Sequence, residues 1–447
     1  MYLRRHNSKT KISMQNETTT PPSVKINDPR TMNGWAFFDC ANSAHSLVIT
    51  TAVFPPFFAA IAPKEVSFLG STFSSSAMLA FAITIAYLVI AFTSPILSGI
   101  ADYGGKRKLF MRFFTTLGAF ACMAMFFMEK PDQWQIGFWT YVLAMIGYAG
   151  GVVFNNAYLP IIATPDKFDS LSARGFTYGY IGSTFLLIIN LAMILFYDEL
   201  GFPDKGIPTR IAFIMVGAWW LGFSQITFNR MPKDKQTPLS INAVSKGIGE
   251  LLKVWQTVKT DFNLKRYLAS FFFFDSGVQT MVFLATVFAS KELNMELTEL
   301  ITLVLVIQIV AAVGAYVFAK VSENKGNKFA LVIMLCIWIL ITFLAFFIHS
   351  KEAFYALGGL LGFVQGGIQS LGRATYAKLM PVGTKDTTCF YSFYDLTDKI
   401  AVIMGTFVFG SIDQIIGIRY SVLAMGILFV VGIILLLPVK IPRTQLD

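Results

Sequence analysis

Twelve apolar segments leave this chain little choice of fold, because about twenty consecutive apolar residues in a helix cross the hydrocarbon core of a bilayer. They lie near residues 35–62, 74–99, 108–128, 135–163, 174–197, 209–229, 264–290, 297–320, 328–348, 353–380, 388–412 and 418–439. Of the 447 residues, 55% are apolar and 14% charged, whereas a soluble chain of this length is about a quarter charged. In lipid each backbone amide must be satisfied within the protein, so an apolar span reads as a helix. The predicted fold class is an all-α polytopic membrane protein with twelve transmembrane helices. Short connections rich in Gly or Asn, such as residues 104–106 and 324–327, read as turns between neighbouring helices.

The net charge of +10 follows topology and does not point to nucleic acid. With the N-terminus in the cytoplasm, 28 of the 36 Lys and Arg fall on the cytoplasmic side, the residues around Arg373 and Lys378 among them. Both termini are therefore expected to be cytoplasmic. Residues 1–33 read as a disordered basic tail, with Pro21 and Pro22 against a continuous helix and no apolar core that would make a signal peptide. Cys40, Cys122, Cys336 and Cys389 are scattered through or beside apolar segments, which favours neither disulfides nor a zinc site.

The segments divide into two sixes. The expected domains are an N-terminal bundle over 34–229, a linker over 230–263, a C-terminal bundle over 264–440 and a short tail over 441–447. In the linker Ile241, Val244, Ile248, Leu251, Leu252, Trp255 and Val258 recur at helical spacing, and Lys246, Lys253 and Lys259 mark the other face. That pattern predicts an amphipathic helix on the cytoplasmic membrane surface, tying the halves together. The halves echo each other: Phe-Phe-Asp ends at Asp39 in the first span and at Asp275 in the seventh. Aligning Gly105 with Gly326 places Asp102 on Glu323 and Arg107 on Lys328. Two six-helix halves related as parallel repeats are the plan of the major facilitator fold.

Charge inside these spans is the functional signal. Residues 387–410, TTCFYSFYDLTDKIAVIMGTFVFG, carry Asp395, Asp398 and Lys399 near the middle. Each costs about 2.5–3.5 kcal/mol at the centre of a membrane helix, so they need partners or a wet cavity. On a 100° wheel Thr388, Tyr391, Asp395, Lys399 and Thr406 share one face, with Asp398 at its flank. Other stripes are Asp39, Asn42, Ser43, Ser46 and Thr50 in the first span, and Tyr148, Asn155 and Asn156 in the fourth. The seventh span adds Asp275 and Gln279, and the tenth adds Gln365, Gln369 and Arg373. Spans three, six, nine and twelve are nearly bare of polar groups and read as supports. Asn155, Asn156, Gln365 and Gln369 have a plain rival role as interhelical hydrogen bonds. Asp39 and Asp275 read as lying near segment ends, where solvation or capping competes with function. For Lys399 the rival is an inert salt bridge. His45 lies off the first stripe and reads as packing. Asp102, beside the Gly104–Gly105 turn and Arg107, reads as one side of a cytoplasmic gate.

Residues 98–108, SGIADYGGKRK, resemble the major facilitator loop signature, with Ser98, Tyr103 and Lys106 as departures. Trp35, Ala36, Asp39, Ala41, Asn42 and Ser43, followed by FPPFF at 54–58, are similar to the first span of the vacuole-effluxer-like branch of that superfamily. So are Asn156, Leu159 and Pro160 with GYIG at 179–182, and Asp275, Gly277, Val278 and Gln279. Gly366, Gly367, Gln369, Leu371 and Arg373, and residues 393–399 ending in Lys399, complete the resemblance. Cys40 stands where an aromatic is common, and Asp398 where a small residue is expected. The resemblance implies a secondary transporter with amino-acid efflux as the branch's best-known role. Its membrane would be the cell membrane, or a vacuolar membrane in a eukaryote.

The expectation is thus a monomeric transporter of a small solute, an amino acid or similar metabolite, working by alternating access. Its cavity charges are Asp39, Asp275, Arg373, Asp395, Asp398 and Lys399; its polar lining is Asn42, Asn155, Asn156, Gln279, Gln369 and Tyr391; its gate is Asp102 with Arg107. Lys399 either binds an anionic substrate group or alternates between Asp395 and a partner such as Asp275. No metal or cofactor is expected, and coupling to protons or sodium stays open. The rival classes are a transport-inactive membrane receptor or assembly protein on the same fold and an intramembrane enzyme. Three His and no H-E-x-x-H argue against the enzyme.

Overall fold

The computed structural model describes residues 25–68, 70–234 and 241–442. The N-terminal half comprises α1 (Pro29–Ile61), α2 (Ser75–Gly104), α3 (Arg107–Ala124), α4 (Trp134–Asn156), α5 (Phe168–Leu195) and α6 (Gly206–Arg230). After the linker helix α7 (Ile241–Thr260), the C-terminal half comprises α8 (Phe262–Leu293), α9 (Leu297–Lys325), α10 (Asn327–Phe347), α11 (Lys351–Leu379), α12 (Thr387–Ile416) and α13 (Ile418–Leu436). A small antiparallel hairpin, Glu65–Phe68 with Ser71–Ser74, links α1 to α2. We call the face where α1 starts and α13 ends the terminal face.

Eleven of these helices are long and apolar enough to cross a membrane. The twelfth, α11, has the length at 29 residues, but Gln365, Gln369, Arg373 and a run of glycines dilute its apolarity. The glycines have a packing role. A Cβ at Gly362 or Gly366 would strike the backbone of α9 at Ile307 or Ala311, and one at Gly314 of α9 would strike Phe363. In lipid, close backbone approach through small residues replaces the hydrophobic drive that assembles soluble bundles. So α11 is an interior helix, sheathed by α9 and its neighbours.

Local sequence sets most helix ends. Asp261 caps α8 by accepting from Leu264 N at 2.8 Å, and Ser350 caps α11 by accepting from Ala353 N at 3.3 Å. Gly105 closes α2 in the left-handed conformation at φ 62°, which a side chain would resist. In α1 the residues from His45 to Val53 form a π-helical stretch. The adjacent Pro55 and Pro56 have no N–H to give, and Phe54 N reaches back five residues to Ile49 O.

Three expectations change. The tail does not extend to residue 33: Asn27 bonds Thr164, and Asp28 caps α1 from Pro29; residues 1–24 and 443–447 lie outside the described residues. Asp275 is not near a helix end, since α8 starts earlier than its apolar core and puts this residue mid-helix. The helix α7 does more than rest on a membrane surface. Its Gly247 meets the backbone of Gly99 and Ile100 in α2, Val254 and Val258 are buried, and Trp255 lies 5.6 Å from Phe393 of α12. Its second apolar strip, Val244, Ile248 and Leu252, stays exposed. Glu250, then Asp386 at the start of α12, hold the Lys253 ammonium above its ordinary pKa.

The halves meet along α9 and α11 against α5, and along α12 against α2 and α4. The polar-poor helices α3, α6, α10 and α13 flank that seam, and α3 and α10 reach it through Arg107 and Asn327 at their starts. The cavity lies within it.

Candidate functional site

Two adjoining cavities of about 210 and 200 Å³ lie between the halves, sharing Ser43, Ser46, Tyr148, Gln279 and Gln369 in their walls. The α1 stripe of Asp39, Asn42, Ser43, Ser46 and Thr50 all lines the first. So do Asn156, Asp275, Gln279, Gln369, Arg373, Asp395, Asp398 and Lys399. Two of the expected lining residues lie elsewhere. The Asn155 carbonyl accepts Trp35 Nε1 at 2.7 Å behind the wall, and Tyr391 is fully buried with its hydroxyl 3.3 Å from Arg373 O. Both were placed by a helical wheel, which gives a direction but no neighbour. His45 packs, stacked on Tyr148 at 5.1 Å.

Arg373 organises the end nearer the terminal face and is no loop charge. It is 4% exposed, with Nη2 2.9 Å from Asp39 Oδ2, Nη1 3.1 Å from Asn156 Oδ1 and Nε 2.9 Å from Ser172 Oγ. Trp35 and Phe176 cover its two faces at 4.6 and 4.4 Å. A planar, delocalised guanidinium suits this combination of in-plane hydrogen bonds and stacked rings; an ammonium does not.

The other end is acidic. Lys399 Nζ lies 2.5 Å from Asp398 Oδ2 and 3.2 Å from Asp395 Oδ1, with the Tyr87 ring at 5.3 Å. Among the described residues Asp275 has no ion pair: Gln279 Nε2 reaches its Oδ1 at 3.5 Å and Asp398 Oδ1 at 3.3 Å, and Asp275 Oδ2 is buried and unbonded. The Lys399 ion pairs are thus with its own helix. Thr406, expected on the same stripe, bonds back to Val402 O and lies outside both cavities.

The terminal face is closed by two polar clusters that join the halves. In the first, Asp102 pairs with Arg107 at 2.6 Å and accepts from Cys389 N at 2.9 Å and Thr388 N at 3.3 Å. Its charge faces the positive end of α12. Arg107 also donates to Thr388 Oγ1 at 2.9 Å and to the Lys385 carbonyl. The second was not read from the sequence. Asp169, 1% exposed, accepts from Lys378 Nζ at 2.7 Å, Asn327 Nδ2 at 2.8 Å and Ser322 Oγ at 2.9 Å. Glu323, expected to mirror Asp102, instead pairs with Lys320 at the surface, 3.0 Å away. The carboxylate of the second cluster sits in the first turn of α5, not in the α9–α10 turn. The sequence does show an acid at that helix start and a basic residue near a helix end on the terminal face, but both are ordinary features there.

At the opposite face the ion pairs among the described residues stay within one half: Arg210–Glu129, Lys291–Asp413, Lys351–Glu299 and Arg419–Glu292. Between the clusters Ser172 donates to Ser370 O at 2.7 Å and Tyr180 to Gln369 Oε1 at 2.6 Å, both across the seam. The halves are therefore clasped at the terminal face.

A family model described as "Vacuole effluxer Atg22 like" matches residues 27–447. The "Uncharacterized MFS-type transporter YxiO" of Bacillus subtilis (strain 168) is 32% identical over 410 residues, covering 90% of this chain and 93% of that one. "Autophagy-related protein 22-1" of Penicillium rubens is 22% identical, covering 85% of this chain and 78% of its own length. Among solved structures, the human organic anion transporter MFSD10 superposes with a TM-score of 0.69 at 13% identity, covering 93% of this chain and all of that one. The outward conformation of the major facilitator transporter FucP gives 0.67 at 14% identity, covering 93% and 98%. At these identities the structures speak for the fold alone.

Proposed function

Since the chain belongs to the Atg22-like vacuole effluxer family of major facilitator transporters, we propose that it moves a small zwitterionic metabolite, such as an amino acid, by alternating access. The observation that carries this reading is the two-ended cavity. A guanidinium of α11, ion-paired with Asp39 of the N-terminal half, stands at one end and the carboxylates of α8 and α12 stand at the other. A zwitterion presents one carboxylate and one ammonium, and charge-assisted hydrogen bonds to both would be strong in a site shielded from water. The two cavities together sit at the low end of the ~300–1,000 Å³ typical of ligand pockets, which favours a small solute.

Basic residues assign the terminal face to the cytoplasm. The arrangement is then one closed to the cytoplasm, and unclasping Asp102 and Asp169 would open the other access. Efflux is the direction that the family description favours. The protein works as a monomer in this reading, since the two halves of one chain wall the cavity between them.

The test is a thermal-shift screen of purified protein against amino acids, peptides, sugars and nucleosides, followed by uptake of the labelled hit into proteoliposomes. An amino acid is expected to raise the melting temperature and to accumulate, and Lys399→Ala to abolish accumulation. Unchanged uptake by Lys399→Ala refutes the assignment of this end of the cavity. A hit that binds but never accumulates indicates a receptor.

A further inference from the structure

The acidic end of the cavity holds three carboxyl groups and one ammonium. Lys399 is committed to Asp395 and Asp398 on its own helix, one turn and one residue away. Asp275, on α8, is left 4% exposed with no cation, one weak amide contact and an orphan oxygen on a helix that walls the cavity. The Gln279 amide reaches both Asp275 and Asp398, so these two carboxyls from different helices face each other across a single donor. Two ionised carboxyls are acceptors only and repel; one proton between them turns repulsion into a hydrogen bond. Stranding an ionised carboxylate in a membrane interior without a partner is costly enough that such groups mark relays and ion paths.

We infer that Asp275 and Asp398 together form a binding site for one exchangeable proton, loaded from cavity water, that couples α8 to α12. This rests on the transport reading above, which it deepens by naming the coupling ion. A single amide donor serves both carboxyls, so one proton between them completes the hydrogen bond that the pair otherwise lacks. Loading adds a proton to one carboxylate oxygen; release returns it to water on the other side once the halves have rocked. Nothing else is consumed.

The charged and titratable groups facing the pair are few. From α12 they are Asp395, Lys399 and Tyr394; from α8, Tyr267; from α2, Tyr87; from α4, Tyr148. Across the cavity stand Asp39 of α1 and Arg373 of α11, which neutralise each other at 2.9 Å. The α13 side brings Phe429 against Gly277. The one cation close by, Lys399, is already shared by two carboxylates.

Infrared difference spectroscopy of reconstituted protein tests the site without a known solute. Stepping from about pH 8 to about pH 5 is expected to load the pair and to raise a carboxyl C=O stretching band in the wild type. Asp275→Asn removes that band. Asp398→Asn, at a position whose side chain is 20% exposed, leaves a band shifted in frequency because its partner is now an amide. Bands unchanged in both variants overturn the proposal. So does a sodium-dependent rise in wild-type melting temperature that Asp275→Asn abolishes, since that makes the pair a metal site. With a ¹⁴C-labelled amino-acid mixture, both variants are expected to lose accumulation driven by a pH gradient. A wild type that shows the band yet moves none of the mixture keeps the proton site and refutes the transport reading.

Discussion

Replacing Asp169 by Asn tests the clasp at the terminal face. The carboxylate is 1% exposed and receives three hydrogen bonds, from Lys378, Asn327 and Ser322 at 2.7–2.9 Å. Asn fills the same space but leaves the Lys378 ammonium, 5% exposed, without its counter-charge. Removing one partner of a buried pair costs about 3–5 kcal/mol. In the opened protein the same face is wet, where such a pair contributes no more than about 1 kcal/mol. The closed form therefore loses about 2–4 kcal/mol relative to the open one, roughly a 30- to 700-fold change in their ratio. The chain carries its own reporter. Cys389 is fully buried in the neighbouring cluster, its backbone N–H bonded to Asp102 across the seam. Alkylation of Cys389, followed by peptide mass spectrometry, is expected to speed up in Asp169→Asn until the open form dominates. The double variant Asp169→Leu with Lys378→Met, which removes both charges, is expected to restore protection, because an apolar pair can replace a buried ion pair at little cost. Equal alkylation rates in wild type and Asp169→Asn would refute the clasp. Failure of the double variant to restore protection would show general destabilisation instead.

Two other perturbations separate neighbouring explanations. Gly247→Leu puts a side chain where even a Cβ lies 2.7 Å from Ile100 N, so α7 must lift from α2 at a cost of about 1–3 kcal/mol. Faster trypsin cleavage at Lys253 and Lys259 reads this, with Gly249→Leu, facing open space, as the unchanged control. Arg373→Lys keeps the charge but loses the fork to Asp39, Asn156 and Ser172 and the stack between Trp35 and Phe176. Uptake is expected to fall at least tenfold, about 1.4 kcal/mol, and wild-type uptake by this variant would show that only the charge matters there.

What the sequence determined was whatever local chemistry determines. Hydropathy located the spans because the cost of an exposed amide in lipid applies to each segment separately. It was weakest for α11, whose glycines and polar groups make sense only once α9 lies against them. The α1 stripe was legible as well, and all five of its polar residues line the cavity. Helical spacing fixed which side of a helix they share, and Asp39, Arg373, Asp395 and Lys399 stood out because charge in a membrane span is expensive.

Partnership was decided by the tertiary structure alone. Asp169 and Lys378 are 209 positions apart and individually commonplace, so nothing local distinguishes them from a helix-start acid and a positive-inside lysine. Asn155 and Tyr391 look like lining by spacing, yet the packing of Trp35 and Arg373 turns them away from the cavity. Lys399 shows the division most sharply. Its sequence gives it two carboxylates on its own helix, and the fold brings a third, Asp275, from α8 of the same half, with no ion pair to it among the described residues. Twelve spans follow from the solvent each segment sees, but an unpaired charge follows from how those spans are packed together.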